Sequence, residues 1–324
     1  MADPHRGARF IFVGGAARSG TTLVQNILDS HPDVCGAPEF HHITDIVQLR
    51  KRLHSSVNQG LIDLICSYDD IDSCICTLIE DLLLPLAEKY KCRFLSEKTP
   101  NNVLIFPALI NLFPEARFIH VVRDPRAVIS SLLQVGKRAE KAGWKTEDYT
   151  HSVLAAISYV NRYLHSGFAS YKISPERVLT LSYERLVSYP ELETKGICRF
   201  LDIEWSQQML CPGSIRHLGE KAVTNNVWYD TKSYNRDPES YEIDKWKAQL
   251  TYAQQVLIAT AFRDNTDLVQ LGYDFSPHGF LGLSLSAFVH FGTHVRRRSF
   301  ALARRSRNKV RRGLRLLHNM AVLK

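Results

Sequence analysis

Cysteine is sparse in this chain: seven in 324 residues, none separated by the two-residue gap of a common zinc or redox pair. The odd count, and a closest pair of Cys74-Ile75-Cys76, point away from a disulfide framework and a thiolate metal site. Several of the cysteines fall in apolar runs, where buried reduced thiols are expected. Long hydrophobic stretches are missing too. Gly279 to Phe291 is apolar but interrupted by glycine and only 13 residues long, against the ~20 that a membrane span requires. Met1 to Arg9 is short and polar, so no secretory signal is expected, and a cytoplasmic, reducing location follows as the default. No internal repeat is visible. Acidic residues are absent from positions 295–324, which carry nine Arg and two Lys. That segment holds +11 of charge against +8 for the chain, leaving −3 for the rest. The basic character therefore belongs to a tail, and no specific nucleic-acid partner is expected.

A hydrophobic content of 45% is enough for a large core, with one large α/β domain or two smaller ones as the size-based expectation. Arg9 to Val13 (RFIFV) reads as a strand, followed by glycines and then by Thr21 to Ser30, whose apolar residues recur at helical spacing. Helices are predicted over Phe40 to Leu53, Ile71 to Lys91 and Asn102 to Leu112. Further strands are predicted at Arg93 to Leu95, Arg117 to Val122 and Val178 to Ser182. Pro125 suits the first turn of a helix running through Leu133. Thr146 to Ser170, Glu184 to Leu201 (broken at Pro190) and Lys245 to Phe262 complete the helices. The alternation predicts a three-layer α/β/α fold of P-loop type around a mainly parallel central sheet. Residues 1–276 form the expected domain and 277–324 a basic amphipathic tail. Cys211 to Asp244, rich in Gly, Asn, Asp and Pro, reads as a functional cover.

Gly15 and Gly20, with four residues between them and set between a strand and a helix, have the spacing of a phosphate-binding loop. Backbone N–H groups converge in such a turn, and the helix N-terminus adds about half a positive charge. Thr21 stands where a nucleotide triphosphatase carries its lysine, and Arg18, a forked donor, lies inside the loop. That disfavours ATP or GTP hydrolysis, and with it a small-molecule kinase. Alone, the loop establishes only a phosphate site, or a glycine turn with no ligand.

RFIFVGGAARSGTTLVQNILDSHPDV resembles the 5′-phosphosulfate loop of sulfotransferases that use 3′-phosphoadenosine 5′-phosphosulfate (PAPS). Its Arg-Ser-Gly-Thr-Thr-Leu followed by His-Pro is most like tyrosylprotein sulfotransferases and their bacterial relatives. The resemblance implies that Gly15, Ala17, Arg18, Ser19, Gly20, Thr21 and Thr22 bind the phosphosulfate. RFIHVVRDPRAVISSLL is similar to the family's 3′-phosphate segment, with Arg123 and Ser131 at the two binding positions. Tyr183, in Ser182-Tyr183-Glu184-Arg185-Leu186, matches a tyrosine near the nucleotide, and Lys245, before Trp246, a cation that approaches it.

The implied activity is in-line transfer of a sulfuryl group from PAPS to a hydroxyl or amine, releasing PAP without a metal. By the same resemblance Lys98 assists the departing bridging oxygen, Arg18 neutralises the transferring group, and Glu39 is the general base. His41 and His42 are rivals for that role, imidazole being the base in other cytosolic members. His120, inside a strand, reads as a core histidine. The chain also departs from the family. Pro38-Glu39-Phe40-His41 lacks the family's arginine after its glutamates, Ser96 replaces a cysteine that would bridge to Cys35, and Val135 replaces a basic residue. These changes leave the acceptor open among glycans, lipid-linked molecules, phenols and protein tyrosine, to be read by loops such as Gly213 to Tyr241. A catalytically silent PAP(S)-binding scaffold is the alternative to an enzyme. The tail, with arginines alternating with Phe300, Leu302, Leu314, Leu316 and Leu317, reads as a peripheral anchor on an anionic membrane or as a disordered basic extension.

Overall fold

The computed structural model describes residues 6–218, 227–228, 237–238 and 243–276. Five strands, β1 (Phe10–Gly15), β2 (Val34–Ala37), β3 (Phe94–Lys98), β4 (Arg117–Val122) and β5 (Val178–Ser182), make one sheet in the order β2-β3-β1-β4-β5. Every pairing is parallel, so each connection must cross over a face of the sheet. The helices α1 (Thr21–Asp29), α2 (Ile43–Asn58), α3 (Tyr68–Tyr90), α4 (Phe106–Leu112), α5 (Pro125–Ala142) and α6 (Val153–Ile173) lie along these connections, and α7 (Tyr183–Ser188) and α8 (Pro190–Leu201) follow β5. The strand order reverses at β1, which has β3 on one side and β4 on the other. In doubly wound sheets the ligand crevice opens at such a point, beyond the strand C-termini.

β1 is buried throughout, which explains why its sequence is continuously apolar rather than alternating. Ile11 and Val13 join Val24, Ile27 and Leu28 of α1 and Ile197 and Leu201 of α8 in one core cluster. Phe10 and Phe12 pack instead with Phe113, and Phe12 with Phe118, at centroid separations of 5.3–5.9 Å. Each such ring contributes about 2–3 kcal/mol by burial, so the strand behind the phosphate loop is anchored on both faces.

The structure corrects several element boundaries. Val34–Ala37 is a strand, although Val-Cys-Gly-Ala is too short to show a period; as β2 it pairs with β3 at the sheet edge. The helix expected from Phe40 begins at Ile43 and runs to Asn58, and the one expected to end at Leu133 continues to Ala142. The helix expected from Thr146 starts at Val153, because Ser152 caps it by accepting from the Ala155 N–H. The last helix is two, Trp246–Gln249 and Tyr252–Phe262, the second opened by a capping box between Thr251 and Gln254. The chain divides at this break into two compact units, Met1–Leu250 and Thr251–Lys324. The tail 277–324 and most of the cover segment lie outside the described residues. All seven cysteines are free thiols; Cys35, Cys76 and Cys198 are buried, whereas Cys74 and Cys211 are exposed, against expectation. Burial pushes the Cys35 thiol up to about 12 and those of Cys76 and Cys198 to about 11.

His120 is a core histidine, as expected. It is fully buried against the edge of Phe168, and neither ring nitrogen has a hydrogen-bond partner among the described residues. Burial alone lowers its pKa from 6.5 to about 3. The unfolded chain therefore binds one more proton between those values, and stability present above pH 6.5 drains away as pH falls toward 3. His120→Leu, of similar volume, removes that linkage. Urea unfolding at pH 7 and pH 5 should show the variant losing about 2 kcal/mol less than the parent between the two conditions. An identical loss in both proteins would refute the assignment.

Candidate active site

The loop after β1 folds as its glycines demand. Gly20 has φ 101 and ψ 13, in the left-handed region, and a Cβ there would sit 2.3 Å from the Tyr183 ring. Gly20 is also the N-cap of α1 and supplies no side-chain cap, so the first N–H groups of that helix face the crevice without one. Ser19 is 1% exposed, and its Oγ has no hydrogen-bond partner among the described residues. An orphaned buried hydroxyl beside an uncapped helix N-terminus is what an anion site presents before its ligand arrives. Arg18 adopts a left-handed φ of 74, a conformation that costs a non-glycine residue about 1 kcal/mol.

The strained Arg18 links the loop to the second predicted motif. Its Nε donates to Ser131 Oγ at 3.0 Å, and its own carbonyl accepts from Arg123 Nη1 at 3.2 Å. Arg123, at the end of β4, also lies over the Tyr183 ring, 4.2 Å from the centroid. Asp124 caps α5 by accepting from the Arg126 N–H and receives the Arg126 guanidinium. The structure thus brings Arg18, Arg123, Ser131 and Tyr183 together. Lys245 is exposed at the head of the short helix Trp246–Gln249, where Trp246 is buried beneath the Arg126 guanidinium at 4.4 Å.

The candidate acid–base residues meet on the other side of the loop. Lys98, last in β3 and 4% exposed, reaches Thr22 Oγ1 at 3.4 Å and donates to Glu39 Oε1. Glu39 follows β2 directly, so the strand missed in the sequence is what carries it there. His41, exposed, approaches Glu39 Oε2 at 3.4 Å, while His42 turns to Asp45 at 3.2 Å. Ser96 donates to Gln25 Oε1 at 2.6 Å, tying β3 to α1. Sequence reasoning missed a further carboxyl, Glu97, next to Lys98 in β3. It is fully buried and accepts from the Phe40 N–H at 3.0 Å, the Thr99 hydroxyl at 2.6 Å and the Asn102 amide. Burial outweighs these bonds and raises its pKa to about 7.

A cavity of about 280 Å³ opens between these groups. Arg18, Thr22 and Glu39 line one side, and Tyr149, Tyr159 and Trp228 the other. Tyr149 and Tyr159 stack with centroids 4.0 Å apart, and the Tyr159 hydroxyl accepts from the Ala17 N–H of the loop at 2.9 Å. The Trp228 carbonyl accepts from Arg18 Nη1, and the Val227 carbonyl from Arg138. These two described residues of the expected cover segment therefore lie over the site. No sequence motif marked the aromatic wall, because its members come from three separate stretches of chain.

A sequence model of the sulfotransferase family matches residues 10–207. Protein-tyrosine sulfotransferase 1 of Danio rerio is 29% identical over 272 residues, covering 83% of this chain and 72% of that one. Protein-tyrosine sulfotransferase of Drosophila melanogaster is 29% identical over 202 residues, covering 62% and 39% respectively. The sulfotransferase domain of the Synechococcus PCC 7002 olefin synthase shares the fold, with a TM-score of 0.57 at 21% identity over 85% of this chain and 98% of that domain. With the matched region spanning β1, the loop, β3, β4 and β5, the chain belongs to the sulfotransferase family.

Proposed function

We propose that the chain transfers a sulfuryl group from PAPS to a hydroxyl-bearing acceptor, with Glu39 as general base and Lys98 as the group that assists the leaving oxygen. The observation that carries this reading is the chain Thr22–Lys98–Glu39, in which one buried ammonium joins the phosphate loop to the candidate base. PAPS, when bound, supplies an activated sulfuryl group attached to a phosphate that leaves as PAP. Gly15, Ala17, Ser19, Gly20, Thr21 and Thr22 would hold its 5′-phosphosulfate, a role supported by the uncapped α1 N-terminus and the orphaned Ser19 hydroxyl. Arg123 and Ser131 would hold its 3′-phosphate beside Tyr183, with Lys245 a further cation for the nucleotide. Arg18, bonded to Ser131, is placed to share its charge with the phosphates.

The Lys98–Glu39 ion pair couples the two halves of the reaction. When Glu39 takes the acceptor's hydroxyl proton it loses its negative charge, and the attraction that holds the Lys98 ammonium weakens. The ammonium is then free to donate to the oxygen on which negative charge develops, where electrostatic stabilisation is largest. Base and leaving-group assistance are thereby timed together without a covalent enzyme intermediate.

For the acceptor, the Tyr149–Tyr159–Trp228 wall supports an aromatic ring carrying the hydroxyl, and the names of the relatives support protein tyrosine within that class. The absent family arginine after Glu39 argues against dependence on strongly acidic flanking residues. Labelled PAPS assayed against tyrosine peptides, simple phenols and glycans is expected to label the first two. Tyr149→Ala should raise the KM of a phenolic acceptor about tenfold, the scale of one lost aromatic contact, and leave PAP affinity unchanged by calorimetry. Failure of the parent protein to bind PAP at all would overturn the reading.

A further inference from the structure

Glu39 and Phe40 are adjacent, yet they are held from opposite faces of the sheet. On β3, Ser96 and Lys98 face α1, as their bonds to Gln25 and Thr22 show. Glu97, between them, faces the other way by strand alternation. Lys98 grips the Glu39 side chain from one side. From the other, Glu97 Oε1 accepts the Phe40 N–H at 3.0 Å, the first backbone donor after Glu39. Glu97 is itself fixed by Thr99 and Asn102, both from the turn that follows β3. Three donors thus converge on one fully buried carboxyl of the interior strand β3.

We infer that Glu97 is a positioning residue for the general base, holding the Glu39–Phe40 backbone so that the Glu39 carboxylate meets both Lys98 and the acceptor cavity. The inference rests on the reading of Glu39 given above. What Glu97 supplies is an acceptor oxygen at a fixed place, so its charge is dispensable. In Glu97→Gln, Oε1 still accepts from Phe40 and Thr99. The new amide would face Asn102, whose Oδ1 has no hydrogen-bond partner among the described residues of the parent and can accept from it once that amide turns over.

Glu97→Met, of similar volume, removes the acceptor. Its kcat is expected to fall about 10- to 100-fold, the cost of misplacing a catalytic group by up to an ångström. PAP affinity should stay within about twofold, since the nucleotide's anchors lie on β1, α1 and β4. Glu97→Gln should retain kcat within about threefold, and hydrogen exchange at the Phe40 amide should quicken about tenfold in the Met variant only. Adding Glu97→Met to Glu39→Gln should cost no further turnover, because a residue acting through the base has nothing left to position. Parent-level kcat in Glu97→Met, equal impairment of the Met and Gln variants, or unchanged Phe40 exchange would each overturn the inference. If Glu97→Met does not fold, Glu97→Asp takes its place: it keeps the charge and withdraws the oxygens by one methylene. A kcat loss of about tenfold then supports the inference, and none overturns it. Normal turnover in Glu39→Gln would instead sink the assignment of the base, while Phe40 exchange still decides the anchor.

Discussion

Glu39→Gln should lower kcat by about 10²- to 10⁴-fold, the range contributed by a positioned general base, while PAP binds within about twofold of the parent affinity. Gln is the informative substitution because of Lys98. That ammonium is 4% exposed and bonded to Glu39 Oε1; removing the whole side chain would strand a buried charge, at a cost of about 3–5 kcal/mol. Gln keeps an oxygen for Lys98 and removes only the ability to take a proton. The residues proposed to hold the nucleotide, from the loop after β1 to Arg123 and Ser131 after β4, are left alone. Steady-state rates with labelled PAPS, read beside PAP calorimetry, check both halves. His41, 3.4 Å from Glu39 Oε2, is the residue to which the role would pass if Glu39→Gln turned over normally; His41→Ala in the same assay is expected to keep most of the parent rate.

The parts of this site that were legible in the sequence are those encoded in contiguous segments. The strand Phe10–Gly15, its glycine turn and α1 are consecutive, so spacing alone marks a candidate phosphate loop. Arg123 and Ser131 share one strand–helix unit, and helical rise carries the hydroxyl back toward the strand end. Glu39 and Lys98 were found through family resemblance, but nothing in their local sequence says that they touch. Their contact arises because β2 and β3 pair in register, with Ala37 opposite Glu97, and β2 itself was missed: four residues containing a glycine carry little strand signal. Glu97 was overlooked for a related reason. Beside a lysine it looks like half of a solvated ion pair, and only the sheet shows the two side chains leaving opposite faces. Tyr149 and Tyr159 lie in and after a turn that was read as continuous helix, so their stacking over the loop followed from the Ser152 cap that the periodicity did not reveal.

Gly20→Ala tests whether the left-handed turn is what makes the loop a phosphate site. The substitution meets two obstacles at one atom. At φ 101 a Cβ is strained, by about 1–2 kcal/mol, and it would lie 2.3 Å from Cδ2 of Tyr183. Relief can come in two ways. The loop can rotate toward negative φ, which turns the first N–H groups of α1 away from the position they share with Ser19. Alternatively the Tyr183 ring can retreat, but that ring carries the Arg123 guanidinium at 4.2 Å, so the arginine moves with it. Both routes spoil phosphate binding, one at the 5′ end and one at the 3′ end. The expected result is a loss of PAP affinity of about 100-fold or more, equivalent to some 3 kcal/mol, together with a lower melting temperature. Gly60→Ala provides the control. Gly60 also has a positive φ, of 66, but a Cβ there meets nothing within 4 Å, and it lies in the α2–α3 connection. That variant shares the backbone strain and nothing else, so its PAP affinity should be unchanged. If the two glycine variants bind PAP alike, the loss at Gly20 is general destabilisation; if only Gly20→Ala fails to bind, the turn, the Tyr183 ring and Arg123 form one phosphate-holding unit.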